Sequence, residues 1–381
     1  MTGHLYLDHN ATTPVLREVL EAMLPWLGAR AGNPSSAHPA GEEARDLVES
    51  ARSEVARLVG ARAKEITFTS GGTEATNTAL RAALAARADR RAIVTSAVEH
   101  SATLEPLAEL ERLGYRVVRV GVDGEGRLDR DALFAAIDQH VALVTLQTAN
   151  NETGALFDLT GVAAACRAAG AILHVDAVQS LGKVPLDLRA IGADFASLSS
   201  HKLHGPKGVG ALYAADGREF EPLLRGGPQE SRRRAGTENV PGIAGFARAA
   251  AMARTALASG DLERVRELRD RFESALAGAI PGVVVHAHGA PRLPNTANVA
   301  FPGLDAEELL GALGAQGLCA SAGSACHAAA RQPSHVLVAM ALPEAQVRSA
   351  LRFSLGRTTT AEEIERALEV VVESAAALRG L

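Results

Sequence analysis

The sequence predicts an α/β protein with a mostly parallel sheet and a second, smaller α+β domain. Between residues 15 and 255, apolar strand-like runs alternate with alanine-rich helical stretches, a pattern typical of parallel strands covered by helices. After Pro241, a long helical stretch is followed by short apolar runs and a C-terminal helix. We therefore predict a large domain over residues 15–255 and a small domain made of residues 1–14 and 256–381.

Each predicted strand of the large domain is a short apolar run, as expected of strands buried on both faces. In chain order these runs are EITFTS (65–70), RAIVTS (91–96), YRVVRV (115–120), VALVTLQ (141–147), AILHVDA (171–177) and FASLSS (195–200). The small domain contains GVVVHAHG (282–289), NTANVAFPG (295–303), a helix from Ala306 and a C-terminal helix over 360–381. The domain boundary falls within one long helical stretch, 247–280.

The composition argues against several classes of partner. The formal net charge is −5, and charges of both signs are interspersed, so we expect no nucleic acid and no membrane surface as a partner. The N-terminal MTGHLYLDHN has no basic region followed by an apolar one, and no segment is apolar over the length of a bilayer crossing. We expect a cytoplasmic protein whose three cysteines stay reduced.

The first motif with a chemical use is FTSGGTEATN (68–77), where a strand turns through two glycines into a helix from about Thr73. Backbone N–H groups at a helix start attract anions, and Gly71 and Gly72 allow close approach. A phosphate would fit there. The alternative is a plain strand-to-helix turn capped by Thr73.

The second motif is AILHVDAVQS (171–180), in which a strand ends at Asp176 and Gln179 follows. An acid at the carboxyl end of a parallel strand faces the crevice where α/β proteins bind ligands. A cationic partner would keep it ionised after burial. The alternative is a helix-capping aspartate.

The third motif is SLSSHKLHGPKGVGALY (197–213), which brings His201 and Lys202 to the same edge. A partly desolvated lysine can form a Schiff base with a carbonyl, whereas a solvated loop lysine stays a hydrated ammonium. In combination with the first two motifs, this lysine completes a set of three groups. They suit the phosphate, the ring nitrogen and the aldehyde of pyridoxal 5'-phosphate.

The fourth motif is LCASAGSACHAAARQPSHVL (318–337), which places Cys326 in a loop rich in small residues. An accessible cysteine there can act as a thiolate nucleophile, with His327 beside it. We interpret Cys166 and Cys319 as packed core thiols. A zinc site is the competing interpretation, and it fails because the cysteines and histidines lack ligand spacing. We therefore predict no metal.

Taken together, ten motifs in constant order resemble one family, the cysteine desulfurases of the nitrogenase-maturation and iron–sulfur-cluster type. The motifs are LYLDHNATTP, AGNPSSAH, FTSGGTEATN, VEHS, ANNETG, HVDAVQSLGK, SLSSHKLHGPKGVGALY, RRRAGTENVPGIAG, GSACH and LRFSLGRTT. These are class-V aminotransferase-like enzymes with pyridoxal 5'-phosphate. The resemblance implies the PLP-dependent transferase fold (fold type I), with a seven-stranded sheet in a large cofactor-binding domain and the cysteine loop in the small domain.

The resemblance also implies a role for each matching residue. It implies that Lys202 binds the cofactor aldehyde, that Asp176 pairs with the pyridine nitrogen and that Gln179 contacts the phenolic oxygen. His100 would stack on the ring and take part in proton transfer. The phosphate would be bound by Gly72, Thr73, Ser199, His201 and, across a homodimer interface, Thr237. Asn151 would lie near cofactor and substrate. Asn33 and Arg352 would bind the substrate carboxylate, a task that suits the planar fork of arginine.

The implied reaction converts L-cysteine to L-alanine. Lys202 acts as the base, and the Cys326 thiolate attacks the substrate sulfur and keeps it as a persulfide. A sulfur-acceptor protein, serving iron–sulfur cluster assembly or thiolation, would then receive the sulfur. The arginine run Arg232–Arg234 lines either the site entrance or the dimer interface, or it is a solvated basic turn.

The segment after the cysteine departs from many desulfurases, having His327, Ala328, Arg331 and Gln332. ACH followed by QPS, together with RAGTEN, is also similar to selenocysteine lyases, which share the fold and cofactor. Selenocysteine lyase, releasing selenide and alanine, is therefore the alternative activity. A non-catalytic scaffold is a third hypothesis, disfavoured because Lys202, Asp176 and Cys326 are all present.

Overall fold

A seven-stranded sheet forms the centre of the computed structural model, which describes residues 3–323 and 333–380. The strands are β1 (Leu5–Tyr6), β2 (Ile66–Thr69), β3 (Ala92–Ser96), β4 (Arg116–Val120), β5 (Val141–Gln147), β6 (Ile172–Asp176), β7 (Phe195–Ser199), β8 (Gly210–Ala214), β9 (Val284–Val285), β10 (Thr296–Ala300), β11 (Leu318–Cys319) and β12 (Ala350–Ser354). The sheet has the order β2-β8-β7-β6-β5-β3-β4. Only β8 runs antiparallel to its neighbours. The predicted α/β class with a mostly parallel seven-stranded sheet is confirmed.

Helices cover this sheet and bury its inner strands. The helices are α1 (Arg17–Leu27), α2 (Pro39–Leu58), α3 (Gly72–Ala86), α4 (Ser101–Arg112), α5 (Arg130–Ala136), α6 (Val162–Ala169), α7 (Leu188–Ile191), α8 (Val240–Ser259), α9 (Asp261–Ala279), α10 (Ala306–Ala315), α11 (His335–Ala339), α12 (Glu344–Val347) and α13 (Ala361–Arg379). Every residue of β5, β6 and β7 is buried, whereas the edge strand β4 buries only Val120. None of these helices is long and apolar enough to cross a membrane.

The single long helix expected near the domain boundary is divided at Gly260. This residue ends α8, precedes α9 and has a φ of 85°. Glycine adopts this left-handed conformation without the steric cost that other residues incur. The alanine-rich sequence keeps its helical pattern on both sides, so the periodicity alone did not reveal the break.

A second sheet of three antiparallel strands has the order β12-β10-β9. Its core includes Phe272 of α9 and Phe353 of β12, whose ring centroids lie 5.1 Å apart edge to face. β1 pairs in parallel with β11, so N-terminal residues join this C-terminal part of the chain. The exact domain bounds given above stay a prediction.

The chain crosses from the second sheet to the large sheet through residues 8–13, which we call the N-terminal strap. At one end of the strap, Asn10 N–H donates to Ser354 Oγ at 2.9 Å. At the other end, Thr13 N–H donates to the carbonyl of His201 at 3.0 Å. The strap therefore places polar groups of the chain's first residues at the edge of the large sheet.

Candidate active site

Asp176 and Lys202 lie at the same edge of the large sheet. Asp176 is the last residue of β6 and is paired in register with Ser197 of β7. Lys202 ends the short 3-10 turn Ser200–Lys202 that follows β7. Because neighbouring parallel strands end on one side, their following residues share that crevice. The structure thus brings together two groups that the sequence separates.

The N-terminal strap holds the amine of Lys202. Lys202 Nζ donates to the carbonyl oxygens of Asn10 at 2.6 Å and Ala11 at 2.8 Å. Thr13 fixes the strap in turn, since its N–H and its hydroxyl both donate to the carbonyl of His201. The position of Nζ is therefore set by backbone contacts, as a preorganised reactive group requires.

Asp176 is a buried carboxylate with one oxygen left for a ligand. It is 7% exposed, and burial raises its pKa to about 6, while the Val178 N–H and the charge of Lys202 act to lower it. Oδ1 accepts from Val178 N–H at 2.9 Å, and no described residue donates to Oδ2. A cationic partner would favour the ionised form, so a protonated ring nitrogen fits this position. The helix-cap alternative is wrong, because the next helix begins at Leu188.

The amino end of α3 lies against the ends of β6 and β7. A Cβ on Gly72 would come within 2.8 Å of Val178 Cγ2 and 3.6 Å of Ser199 Cβ, so glycine permits this approach. The helix has no side-chain cap, and Thr73 is exposed in its first turn. The alternative of Thr73 as the capping residue is therefore wrong. Uncapped N–H groups with the helix dipole behind them suit a phosphate.

Ser199 at the end of β7 lies beside these N–H groups, and His201 follows it in the turn after the strand. Ser199 is buried against Gly72, and the described residues give its hydroxyl no hydrogen bond. The Nδ1 atom of His201 lies 3.1 Å from Thr12 Oγ1. Burial lowers the pKa of His201 to about 4, reinforced by the positive charge of Lys202. With Thr12 donating to Nδ1, a neutral ring carries its hydrogen on Nε2 and can donate to an anion.

His100 follows β3 and caps helix α4. Its Nδ1 accepts from Ala102 N–H at 3.0 Å. This bond keeps Nδ1 unprotonated in the neutral ring, so the ring hydrogen is on Nε2. The capping bond fixes the ring orientation, while its predicted stacking and proton transfer stay predictions.

Glu99, beside His100, is a buried carboxyl that the sequence reasoning missed. Its Oε1 accepts from Ser96 Oγ at 2.6 Å and from Gln147 N–H at 3.0 Å. Its Oε2 is buried without a hydrogen-bond partner among the described residues. Burial raises the pKa of Glu99 to about 8, and the negative charge of Asp176 acts in the same direction.

Arg352 connects the second sheet to this edge. It is 1% exposed, with Nη2 donating to Asp8 Oδ1 at 2.7 Å and Nη1 donating to the Asn151 carbonyl at 3.1 Å. Its Nε is buried without a partner among the residues described. The structure thus joins Arg352 and Asn151, but a substrate carboxylate would share the guanidinium with Asp8.

Two predicted site residues have only local contacts or none within this chain. Asn33 is exposed, and its Oδ1 accepts from Ser35 N–H at 2.9 Å. Thr237 is exposed on the segment before α8, and no hydrogen bond in the described part of the chain ties it to Lys202. That Thr237 reaches the site from a second copy stays a prediction.

Cys326, His327, Ala328, Arg331 and Gln332 lie outside the described residues. Cys166 is buried in α6, and burial raises its pKa to about 12, so it is an inert core thiol as predicted. Cys319 in β11 is half-buried rather than fully packed. Beyond the cysteine segment, Ser334 Oγ donates to Glu152 Oε2 of the ANNETG motif at 2.5 Å.

The sequence reasoning also missed Asn10 and Lys183. Asn10 Nδ2 donates to the Asn151 carbonyl and to Thr296 Oγ1, and its Oδ1 accepts from Lys183 Nζ at 3.0 Å. Both residues lie in quoted motifs, LYLDHNATTP and HVDAVQSLGK. The sequence shows that both residues are polar and lie within these motifs, but it does not show that they contact each other.

Comparisons with known proteins show which family and which solved structures this chain is similar to. The family described as Aminotransferase class-V matches residues 5–367. The chain is 50% identical to a cysteine desulfurase from Cereibacter sphaeroides over 379 residues, covering 99% of this chain and 97% of that relative. It is similar to a solved NifS-like protein, with a TM-score of 0.91, 36% identity and coverage of 99% and 100% of the two chains. A structure of SspA in complex with cysteine has a TM-score of 0.81 and 31% identity, covering 93% of this chain and 99% of the other.

Proposed function

This chain belongs to the class-V aminotransferase family and, within it, to the cysteine desulfurases, and we propose that it converts L-cysteine to L-alanine and keeps the sulfur as a persulfide on Cys326. One observation carries the proposal. Lys202, Asp176 and the amino end of α3 meet at one sheet edge. An amine, a carboxylate and an anion cradle are the groups that an aldehyde-bearing pyridine phosphate needs.

The residues at this edge fit pyridoxal 5'-phosphate, the cofactor of this family. Lys202 would hold its aldehyde carbon, Asp176 Oδ2 its ring nitrogen and Gln179 its phenolic oxygen. The phosphate would lie among Gly72, Thr73, Ser199 and His201. When bound, the cofactor supplies an electron sink for bonds broken at the substrate α-carbon.

The residues of the chain then divide the remaining tasks. Lys202 Nζ takes the proton from the substrate α-carbon. The Cys326 thiolate attacks the substrate sulfur, so that a sulfur–sulfur bond forms as the carbon–sulfur bond breaks with its electrons on carbon. A proton added at that carbon gives the methyl group of alanine. L-cysteine and a thiol give L-alanine and a persulfide, and this change needs no external oxidant or reductant.

The substrate is held by groups from both sheets. Arg352, whose Nε has no hydrogen-bond partner among the described residues, binds the substrate carboxylate, and Asn151 and Asn33 complete that end of the site. His100 would stack on the cofactor ring and would donate through Nε2. The relative solved in complex with cysteine supports L-cysteine as the ligand.

The proposed partners are a second copy of the chain and a sulfur-acceptor protein. The exposed position of Thr237 supports a homodimer, because only a second copy would give this hydroxyl access to the phosphate. A persulfide on Cys326 must pass its sulfur to an acceptor before the next turnover. We place this reaction in the cytoplasm, where free thiols stay reduced.

Replacing Lys202 tests the proposal. The protein loaded with pyridoxal phosphate should absorb visible light and release alanine from L-cysteine. We expect Lys202→Ala to lose the lysine-bound absorbance and about a thousandfold of the activity, whereas Lys207→Ala, at an exposed lysine, should leave both unchanged. Normal turnover by Lys202→Ala would overturn the assignment. If the protein strongly prefers selenocysteine to cysteine as its substrate, the activity is instead that of a selenocysteine lyase.

A further inference from the structure

Lys183 is a second buried lysine at the site, and the proposed chemistry gives it no task. It is 8% exposed, and its Nζ donates to Gln179 Oε1 at 2.8 Å and to Asn10 Oδ1 at 3.0 Å. Within residues 3–323 and 333–380, no carboxylate lies within ion-pair distance of it. Burial, together with the positive charges of Lys202 and Arg352, lowers its pKa well below the usual range. Stability alone does not explain this position, because an uncompensated buried amine costs free energy.

Two contacts agree on which way the Gln179 amide points. A backbone carbonyl can only accept, so the atom at 3.1 Å from the Asn10 carbonyl is Gln179 Nε2. The amide oxygen then faces Lys183 Nζ, which carries N–H groups whether or not it is protonated and donates to that oxygen. A reversed amide would lose the bond to the Asn10 carbonyl.

This orientation turns Gln179 into a donor beside the reactive lysine. The Asn10 carbonyl that accepts from Gln179 Nε2 also accepts from Lys202 Nζ at 2.6 Å. An amide nitrogen carries two N–H groups, and the Asn10 carbonyl uses only one of them. The second N–H is available to an acceptor next to Lys202.

We propose that Lys183 is a positioning residue that holds the Gln179 amide with Nε2 toward the phenolic oxygen of pyridoxal phosphate. The inference rests on the proposed function, which places that oxygen at Gln179. A donor at this oxygen would stabilise its anionic form and would lower the basicity of Lys202 Nζ once that atom is bonded to the aldehyde carbon of the cofactor. A reversed amide would instead present Oε1 and repel the anion.

A purely structural role for Lys183 makes a different prediction. Through Asn10 Oδ1, which also accepts from Asn295 Nδ2 at 3.0 Å, Lys183 ties the N-terminal strap to the large sheet. If that were its only task, replacing it would lower stability and leave the bound cofactor's absorbance unchanged. The spectrum of the bound cofactor therefore separates the two roles.

The test is a pH titration of the visible absorbance of full-length protein loaded with pyridoxal phosphate. For Lys183→Met we expect the midpoint to rise by about one pH unit, the size of one lost hydrogen bond to a charged group. In a Gln179→Ala background, adding Lys183→Met should cause no further shift, because Lys183 acts through Gln179. Lys207→Met, at an exposed lysine, is the matched control.

Each outcome is decisive. If Lys183→Met has the same absorbance midpoint as the wild type, whatever its stability, the inference is overturned. The inference is also overturned if Lys183→Met shifts the midpoint by the same amount in the Gln179→Ala background as in the wild type. Should Lys183→Met not fold, Lys183→Gln, which keeps a polar group without the amine, is measured with the same expectation. Wild-type protein that binds no pyridoxal phosphate would instead overturn the proposed function.

Discussion

At the scale of single residues, burial opposes the ionisation of two carboxyl groups at the candidate site. Asp176 and Glu99 are both buried carboxyls, and burial raises their pKa values to about 6 and about 8. They differ in what surrounds them. The positive charge of Lys202 acts to lower the pKa of Asp176, whereas the negative charge of Asp176 acts to raise that of the fully buried Glu99. A protonated ring nitrogen beside Asp176 would favour its ionised form.

Replacing Asp176 should stabilise the cofactor-free protein and abolish cofactor function. Because its pKa is higher in the folded chain than the usual 3.8, ionisation of Asp176 costs stability as the pH rises from about 4 to about 6. Asp176→Asn avoids that cost and keeps an acceptor for Val178 N–H. Urea unfolding of the cofactor-free chain at pH 7.5 should show Asp176→Asn more stable by about 2–3 kcal/mol, with no difference at pH 4.

The same variant should gain little or no stability from added pyridoxal phosphate, since it has no carboxylate for the ring nitrogen. Asp89→Asn, at an exposed residue, is the control and should match the wild type throughout. Equal free energies of unfolding for Asp176→Asn and the wild type at pH 7.5 would show that burial does not make ionisation of this carboxyl group unfavourable.

At the scale of elements, a buried ion pair fixes the turn that leads to Thr237. Glu230, Ser231 and Arg232 have φ values of 48°, 57° and 67°, a conformation that costs non-glycine residues about 1–3 kcal/mol each. Glu230 holds this turn, because its carboxylate accepts from Arg52 Nη1 at 2.6 Å, Arg52 Nη2 at 2.9 Å and Phe68 N–H at 2.8 Å. Helix α2 and strand β2 thus position the segment proposed to reach a second copy.

Breaking the buried Arg52–Glu230 pair should lower the free energy of unfolding far more than breaking the exposed contact between Arg52 and Glu49. Glu230→Gln leaves Arg52 buried without full charge compensation, so we expect a loss of about 3–5 kcal/mol in unfolding free energy. Glu49 contacts the same arginine at 3.0 Å, but its side chain is 59% exposed. Glu49→Gln should therefore cost less than about 1 kcal/mol. Denaturant unfolding of both variants checks this, and equal losses would contradict it.

Six of the seven strands of the large sheet, β2 to β7, were predicted from local apolar runs, whereas β8 and the contacts between distant segments were not. Runs such as VALVTLQ indicate buried strands because their apolar character is local. The N–H of Asn10 donates to Ser354 Oγ, 344 residues away, and nothing in the local pattern of either segment indicates this pairing. The same limit explains why Lys183 and Glu99 were missed, since their importance depends on neighbours brought by other strands. Cys326 was predicted from motif resemblance and lies outside the described residues.

At the scale of the whole molecule, the candidate site lies between the two sheets, and the N-terminal strap connects its two sides. Asn10 connects Lys202, Gln179 and Lys183 on the large-sheet side to Asn295 and Thr296 on the other. Arg352, from the second sheet, is tied to Asp8 of the same strap. Under the proposed function, the substrate would therefore meet cofactor-binding groups from one sheet and a carboxylate-binding group from the other. In sequence, the segment that contains Cys326 follows β11, and Cys326 itself lies outside the described residues.

The central claim is that Lys202-dependent chemistry moves sulfur from L-cysteine to Cys326. Mass spectrometry of peptides from the loaded protein, after incubation with L-cysteine and alkylation, tests it most directly. We expect one added sulfur atom on the peptide containing Cys326 in the wild type and none in Lys202→Ala. Added sulfur on Cys166 or Cys319 instead, or on Cys326 of the Lys202→Ala protein, would contradict it.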